Sequence, residues 1–183
     1  DGLLRVHFIC TGNVCRSPLA SGLMTHALKA AGITAGVDSS GLSAAVDAHA
    51  DPATRHFAAG LGVDLRSHRA RQFNPEFAID SDLVLTATLQ QRDQVIGLAP
   101  AATQRIFALA SFAALVADPR RMDHARTGIP ALVADVSIRR QLRQPRPSDD
   151  IPDPIGRLPA VHKAVGEQIA IAVNTITAAF LRA

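Results

Sequence analysis

Cys10-Thr-Gly-Asn-Val-Cys-Arg-Ser-Pro18 follows a short apolar run, Leu3–Ile9, and leads into a stretch patterned as a helix. The order is therefore strand, tight loop, helix start. Such a loop aims several backbone N–H groups at one point, and the helix dipole adds positive potential there. Cys10 and Arg16 stand six positions apart, close enough for both to face one oxyanion. The guanidinium would fork two of its oxygens, and the sulfur would lie beneath it. A thiol so placed is expected to ionise easily. Gly12 is expected to open backbone conformations closed to other residues, Asn13 to tolerate the left-handed region, and Pro18 to suit the first helical turn. The pattern G-x-x-x-x-G-K-[ST] is absent, so the loop is not a nucleotide-binding P-loop.

The rest of the chain reads as alternating strands and helices. Strands are expected at Leu3–Ile9, Gly36–Ser39, Leu83–Thr86 and, more weakly, Arg105–Phe107. Helices are expected at Leu19–Ala31, closed by Gly32, from Asp51-Pro52 to about Leu61, over Gln90–Leu98 and over Ala160–Leu181. In the last, Val161, Val165, Ile169, Val173, Ile176 and Phe180 recur at helical spacing. Alternation of this kind predicts an α/β domain, a four-stranded parallel sheet flanked by helices. Ligands of open sheets bind beyond the carboxyl ends of strands, and Cys10 lies at such an end.

Composition narrows the function. With 183 residues, 48% of them hydrophobic and 19% charged, the chain is expected to form one domain, 1–183, around a substantial core. Residues 118–150 are the atypical part, holding Pro119, Pro130, Pro145 and Pro147. They read as a loop or helical insertion, with a helix within Ile129–Leu142, that borders the mouth of the site. A net charge of +3 and the absence of tyrosine and tryptophan argue against nucleic acid. No apolar run reads as a membrane span, and no secretory signal is visible. The first residue is Asp1 and not methionine, which leaves a preceding segment open. Both cysteines lie in the loop, so no disulfide framework is expected and a reducing cytoplasm is the natural compartment. Histidines occur singly, so no metal-ligand cluster and no cofactor is read.

Cys-Thr-Gly-Asn-Val-Cys-Arg-Ser-Pro resembles the active-site loop of the low-molecular-weight protein tyrosine phosphatases, C-x-G-N-x-C-R-S. The resemblance continues through Val37-Asp-Ser-Ser-Gly41, Asp51-Pro52, Ser67-His-Arg-Ala-Arg-Gln72, Asp82-Leu-Val-Leu85 and Asp153-Pro154. It runs to about Pro119 and resumes near Ile151. It implies a monomeric phosphatase acting on phosphotyrosine proteins without a cofactor. Cys10 would be the nucleophile and Arg16 the phosphate clamp, and the loop residues Thr11, Gly12, Asn13, Val14, Cys15 and Arg16 would bind phosphate. Asp153 would be the general acid, ahead of its neighbours Asp149 and Asp150. Ser17 would support the loop and stabilise the thiolate, although capping a helix is its commoner task. Ser39 and His68 would brace Asn13, where His68 otherwise reads as a surface residue. Cys15 would trap oxidised Cys10 as a disulfide, or simply pack in the loop.

Asp51 reads as a helix cap, and His49 has no claim on the site. Arg139, Arg140, Arg143 and Arg146 form either a solvated face or an attractor for acidic phosphopeptides. Relatives often follow Asp-Pro with aromatic residues, whereas Ile155-Gly156 stand here. That departure keeps a small-molecule phosphatase open. An arsenate reductase using an external thiol and a phosphate-binding module without turnover also fit the loop.

Overall fold

The computed structural model describes residues 2–120 and 127–183. Its centre is a parallel sheet of β1 (Leu4–Cys10), β2 (Ala35–Gly41), β3 (Leu83–Thr86) and β4 (Ile106–Ala108), in the order β2-β1-β3-β4. The register sets Val6 against Val37 on one side and Leu83 on the other, and it sets Cys10 against Gly41. β3 is buried along its whole length, which is why its sequence is a near-continuous apolar run, and β1 is buried from Val6 to Cys10, His7 included.

Helices cover both faces. α1 (Arg16–Ala30) and α7 (Pro159–Arg182) pack together, and α5 (Leu109–Ala117) packs on α7. Phe8, Met24, Leu28, Phe107, Phe112, Ile169 and Ile176 fill this side. Ile9, Phe73, Val84, Val95 and Ile106 form a smaller core under α3 (Pro75–Ile79) and α4 (Leu89–Leu98). α2 (Pro52–Gly60) lies against α7, where a Cβ on Gly166 would approach Phe57 to 2.7 Å.

Local signals account for the boundaries. Asp51 caps α2, accepting from the N–H groups of Ala53 and Thr54. Thr88 and Gln91 close a capping box on α4. Gly32 turns the chain after α1 at φ 72°. The expected elements are present, with shifts of a few residues at their ends. Two helices went unread. α5, Leu-Ala-Ser-Phe-Ala-Ala-Leu-Val-Ala, is apolar on nearly every side and has no period to read, because it is buried. α3 is five residues long, too short for periodicity.

Two expectations need correction. α7 is in fact long and apolar enough by length and composition to cross a membrane, but half of that window is buried against the domain, as for a core helix. Of the arginine run only Arg146 is exposed, and the other three are turned inward. Arg139 is buried on Asp135 and the Leu115 carbonyl, Arg140 lies over the Phe107 ring, and Arg143 forks Asp149. These contacts hold α6 (Ile129–Arg140) and the segment after it onto α5 and the sheet. Of the insertion, Pro147 and Asp150 reach the mouth of the site, and residues 121–126 lie outside the described residues.

Candidate active site

The loop between β1 and α1 is pinned from outside. The carbonyl oxygens of Cys10, Thr11 and Gly12 accept from the N–H groups of Leu42, Ser43 and Ala45, and that of Val14 accepts from Asp51. The Asn13 carbonyl accepts from His68 Nε2 at 2.7 Å. With the carbonyls turned outward, the N–H groups of residues 11–16 turn inward and donate to no acceptor among the described residues. This is the arrangement of a backbone nest for an anion.

Asn13 is the keystone of the loop. Its φ is 57° and its side chain is fully buried. Nδ2 donates to Ser17 Oγ at 2.8 Å and Ser39 Oγ at 2.9 Å, and Oδ1 accepts from the Arg71 N–H at 3.0 Å. Ser39 and His68 thus both touch the asparagine that the resemblance assigns them to. Burial holds the His68 pKa below its ordinary value, so the ring is neutral at pH 7 and carries its proton on Nε2, facing the carbonyl.

Gly12 does not take a left-handed conformation, and a Cβ there would meet only Val14 at 3.6 Å. The glycine that the loop demands is Gly41, at the end of β2. A Cβ on it would fall 2.4 Å from the Thr11 carbonyl oxygen and 3.0 Å from the Asn13 nitrogen.

Cys10 is buried at the end of β1, with Ser17 Oγ 3.0 Å from its sulfur. Ser17 does not cap the helix; it sits inside α1, and the N-cap position is Cys15. Asn13 occupies one lone pair of the Ser17 oxygen, and the single hydroxyl proton has two acceptors within reach, the Cys10 sulfur at 3.0 Å and the Ser40 carbonyl at 3.4 Å. Cys15 is buried as well, and burial pushes its pKa up to about 12. Both cysteines are free thiols.

Arg16 is buried, with Nη1 on the Ile151 carbonyl at 2.9 Å and Nη2 3.3 Å from Asp153 Oδ2. Its Nε is buried and donates to nothing. A buried guanidinium N–H without a partner is costly unless a ligand completes it.

The three aspartates of the insertion end differ sharply. Asp149 is buried in a fork from Arg143 and also accepts from the Arg146 N–H. Asp150 accepts from the Leu89 N–H and so ties the segment to α4. Asp153 alone of the three reaches Arg16, at the mouth, with its side chain 44% exposed. The Ile151 N–H donates to the Ala87 carbonyl just past β3, which anchors this loop over the sheet end.

A cleft of about 960 Å³ opens here. Thr11, Arg16 and Asp153 line its floor, and Leu42, Gln94 and Leu98 its walls. Gln91 links floor and wall, donating to Thr11 Oγ1 at 3.0 Å. Gln91 and Arg71 escaped the sequence reading. The capping box shows why Gln91 stands at its position on α4 but not that its amide reaches across the cleft, and the Arg71 contribution to Asn13 is a backbone N–H that any residue would carry.

The family model for low molecular weight phosphotyrosine protein phosphatases matches residues 5–130. A relative in Ralstonia nicotianae, described as a probable low molecular weight protein-tyrosine-phosphatase EpsP, is 32% identical over 114 residues, 62% of this chain and 76% of its own. The low molecular weight protein-tyrosine-phosphatase Etp of Escherichia coli K12 is 36% identical over 92 residues, covering 50% of this chain and 60% of its own. Among solved structures, the Erwinia amylovora tyrosine phosphatase AmsI superposes with a TM-score of 0.72 at 21% identity, over 98% of this chain and 95% of that one. The YwlE arginine phosphatase of Geobacillus stearothermophilus gives 0.68 at 24% identity over 96% and 91%. The two superpositions speak to the fold alone. With its sequence matched over most of its length and its loop built as an anion nest above a buried thiol, the chain belongs to the low molecular weight phosphotyrosine protein phosphatase family.

Proposed function

We propose that the protein hydrolyses phosphotyrosine monoesters in two steps through a cysteinyl-phosphate. The carrying observation is the set of N–H groups of residues 11–16 that have no acceptor among the described residues, joined by the unpartnered Nε of Arg16, in the loop that starts at Cys10. The Cys10 thiolate attacks phosphorus in line, and the bond to the tyrosyl oxygen breaks. Asp153 protonates that oxygen as it leaves. Arg16 and the N–H groups of Thr11, Gly12, Asn13, Val14 and Cys15 hold the equatorial oxygens. Water then attacks the cysteinyl-phosphate, with Asp153 as base, and the Cys10 thiolate departs with Ser17 donating to it. Ser39 and His68 act through Asn13, holding the loop in its receptive shape. The ion pairs of Asp149 and the helix contact of Asp150 favour Asp153 as acid. Relatives named protein-tyrosine-phosphatases favour hydrolysis over arsenate reduction.

Cys15 is the redox partner of Cys10 in this reading. A protein with two neighbouring free thiols in its site belongs in a reducing cytoplasm. It works there as a monomer on phosphotyrosine proteins, with no nucleic acid or membrane partner. The test is a substrate panel of aryl phosphate, phosphotyrosine peptide, phosphoserine peptide and arsenate with reductant. Turnover of the first two only is expected. Turnover of aryl phosphate without the peptide would favour a small-molecule phosphatase, whose small substrates the non-aromatic walls of Leu42, Gln94 and Leu98 also suit.

A further inference from the structure

At the phosphate loop the fold brings together three residues far apart in sequence. Cys15 Sγ, a carboxylate oxygen of Asp51 and a ring nitrogen of His162 all lie within 4.8 Å of one another. Asp51 is the N-cap of α2, and its N–H also holds the Val14 carbonyl. His162 stands one turn before Gly166, where α7 touches α2, so it faces the same way. The His162 side chain is 8% exposed, and its Nδ1 is buried without a hydrogen-bond partner, 3.8 Å from Asp51 Oδ1. An imidazole nitrogen in that state is out of place in a purely structural role.

We propose that Cys15, Asp51 and His162 form a binding site for a divalent ion of the zinc class. The donor set is sulfur, oxygen and nitrogen, as such ions prefer. Bonds of about 2.0–2.3 Å to a tetrahedral ion set its donors ~3.5 Å apart. Asp51 and His162 already stand near that spacing, and Cys15 needs a shift of about an ångström. On binding, the Cys15 thiol releases its proton to solvent and a metal–sulfur bond forms. One thiolate, one carboxylate and a neutral imidazole then balance a +2 ion, so the buried site carries no net charge. Because the thiol must lose its proton to bind, binding strengthens as pH rises. His162 also lines a groove of about 480 Å³ with Ala53, His56, Phe57, Pro159 and Lys163, which serves as the entry path. A water fills the fourth position. The site joins the phosphate loop to α2 and α7, and it removes Cys15 from the reach of an oxidised Cys10.

Cobalt(II) is the probe, titrated into the full chain after chelation. The expected result is one equivalent bound, with a thiolate-to-cobalt charge-transfer band and the strong visible bands of a tetrahedral ion. Cys10→Ser should keep the spectrum, because Cys10 is not among the three donors. His162→Ala should weaken binding at least 10-fold while leaving turnover of aryl phosphate in chelator unchanged. Zinc should displace the cobalt and raise the melting temperature of the parent but not of His162→Ala. Absence of the charge-transfer band would overturn the proposal. So would its loss in Cys10→Ser, which would place the ion on the nucleophile, or its full retention in His162→Ala.

Discussion

Asn13 makes four hydrogen bonds from a left-handed backbone, and its partners come from α1, β2 and residues 68–71. Replacing it by alanine strands the Arg71 N–H, takes a donor from each of the two serine hydroxyls and removes the residue suited to that φ. Unmet buried partners cost roughly 1–3 kcal/mol each, so Asn13→Ala should lose about 3 kcal/mol of stability in urea unfolding. A loss below about 1 kcal/mol would mean that the loop holds itself. At Cys10 the expected effect is the reverse. Cys10→Ser should abolish turnover with little change in melting temperature, since one buried atom is exchanged for a smaller one; retained activity would remove the sulfur from the mechanism. Asp153→Asn should slow poor leaving groups most, because phenyl phosphate needs a proton where nitrophenyl phosphate does not. The difference should approach the ~10²–10⁴-fold typical of general acids, read as kcat/KM across a series of aryl phosphates. Asp149→Asn should instead lower stability, since it breaks a buried fork with Arg143.

At the level of elements, the loop depends on a neighbour that binds nothing. Gly41 ends β2, and it lets that strand's exit pass against Thr11 and Asn13. Gly41→Ala would set a methyl 2.4 Å from the Thr11 carbonyl oxygen; Gly41 is held in β2 and that oxygen by the Ser43 N–H. Such overpacking typically costs about 1–3 kcal/mol, and here the strain falls on the phosphate cradle itself. Competitive inhibition by inorganic phosphate should weaken at least several-fold in Gly41→Ala, while Gly12→Ala, whose Cβ would meet only Val14 at an ordinary contact distance, should weaken it less. Equal effects at both positions would show that the cradle, and not the strand exit, is the sensitive part.

Over the whole molecule, the buried histidines set the acid limb of stability. His7 on β1 lies 2.8 Å from Ser40 Oγ and stacks on Phe77, and burial, aided by Arg71, lowers its pKa to about 3. The folded chain therefore keeps this ring neutral between about 3 and 6.5, where the unfolded chain protonates it. Its contribution is complete above pH 6.5 and falls as pH drops below that value. His68 is shifted in the same direction. Between pH 8 and pH 5 the parent's melting temperature should fall further than that of His7→Gln, which keeps a polar tip near Ser40 without a titrating ring. Parallel curves would assign acid sensitivity elsewhere.

The order of elements and the place of the loop between Cys10 and Arg16 were legible in the chain because they rest on local rules, whereas the choice of Asp153 among its neighbours came from the family resemblance. An apolar run, a Cys-to-Arg spacing and helix-capping residues act within a few positions. The likeness of those motifs to a known family then supplied roles for Ser39 and His68 that no local rule carries. Only the tertiary structure decided the rest. It moved the essential glycine from Gly12 to Gly41, because the close approach is between strand exit and loop and not within the loop. It turned the arginines of residues 139–143 inward, because the carbonyls and carboxylates that neutralise them come from α5, the sheet and the segment leading to the cleft. It gathered Cys15, Asp51 and His162, which lie far apart in sequence, at one loop. Spacing along a chain reports contacts within a helix, a turn or a strand. Contacts made by packing three helices and a strand exit around a sheet leave no such period to read.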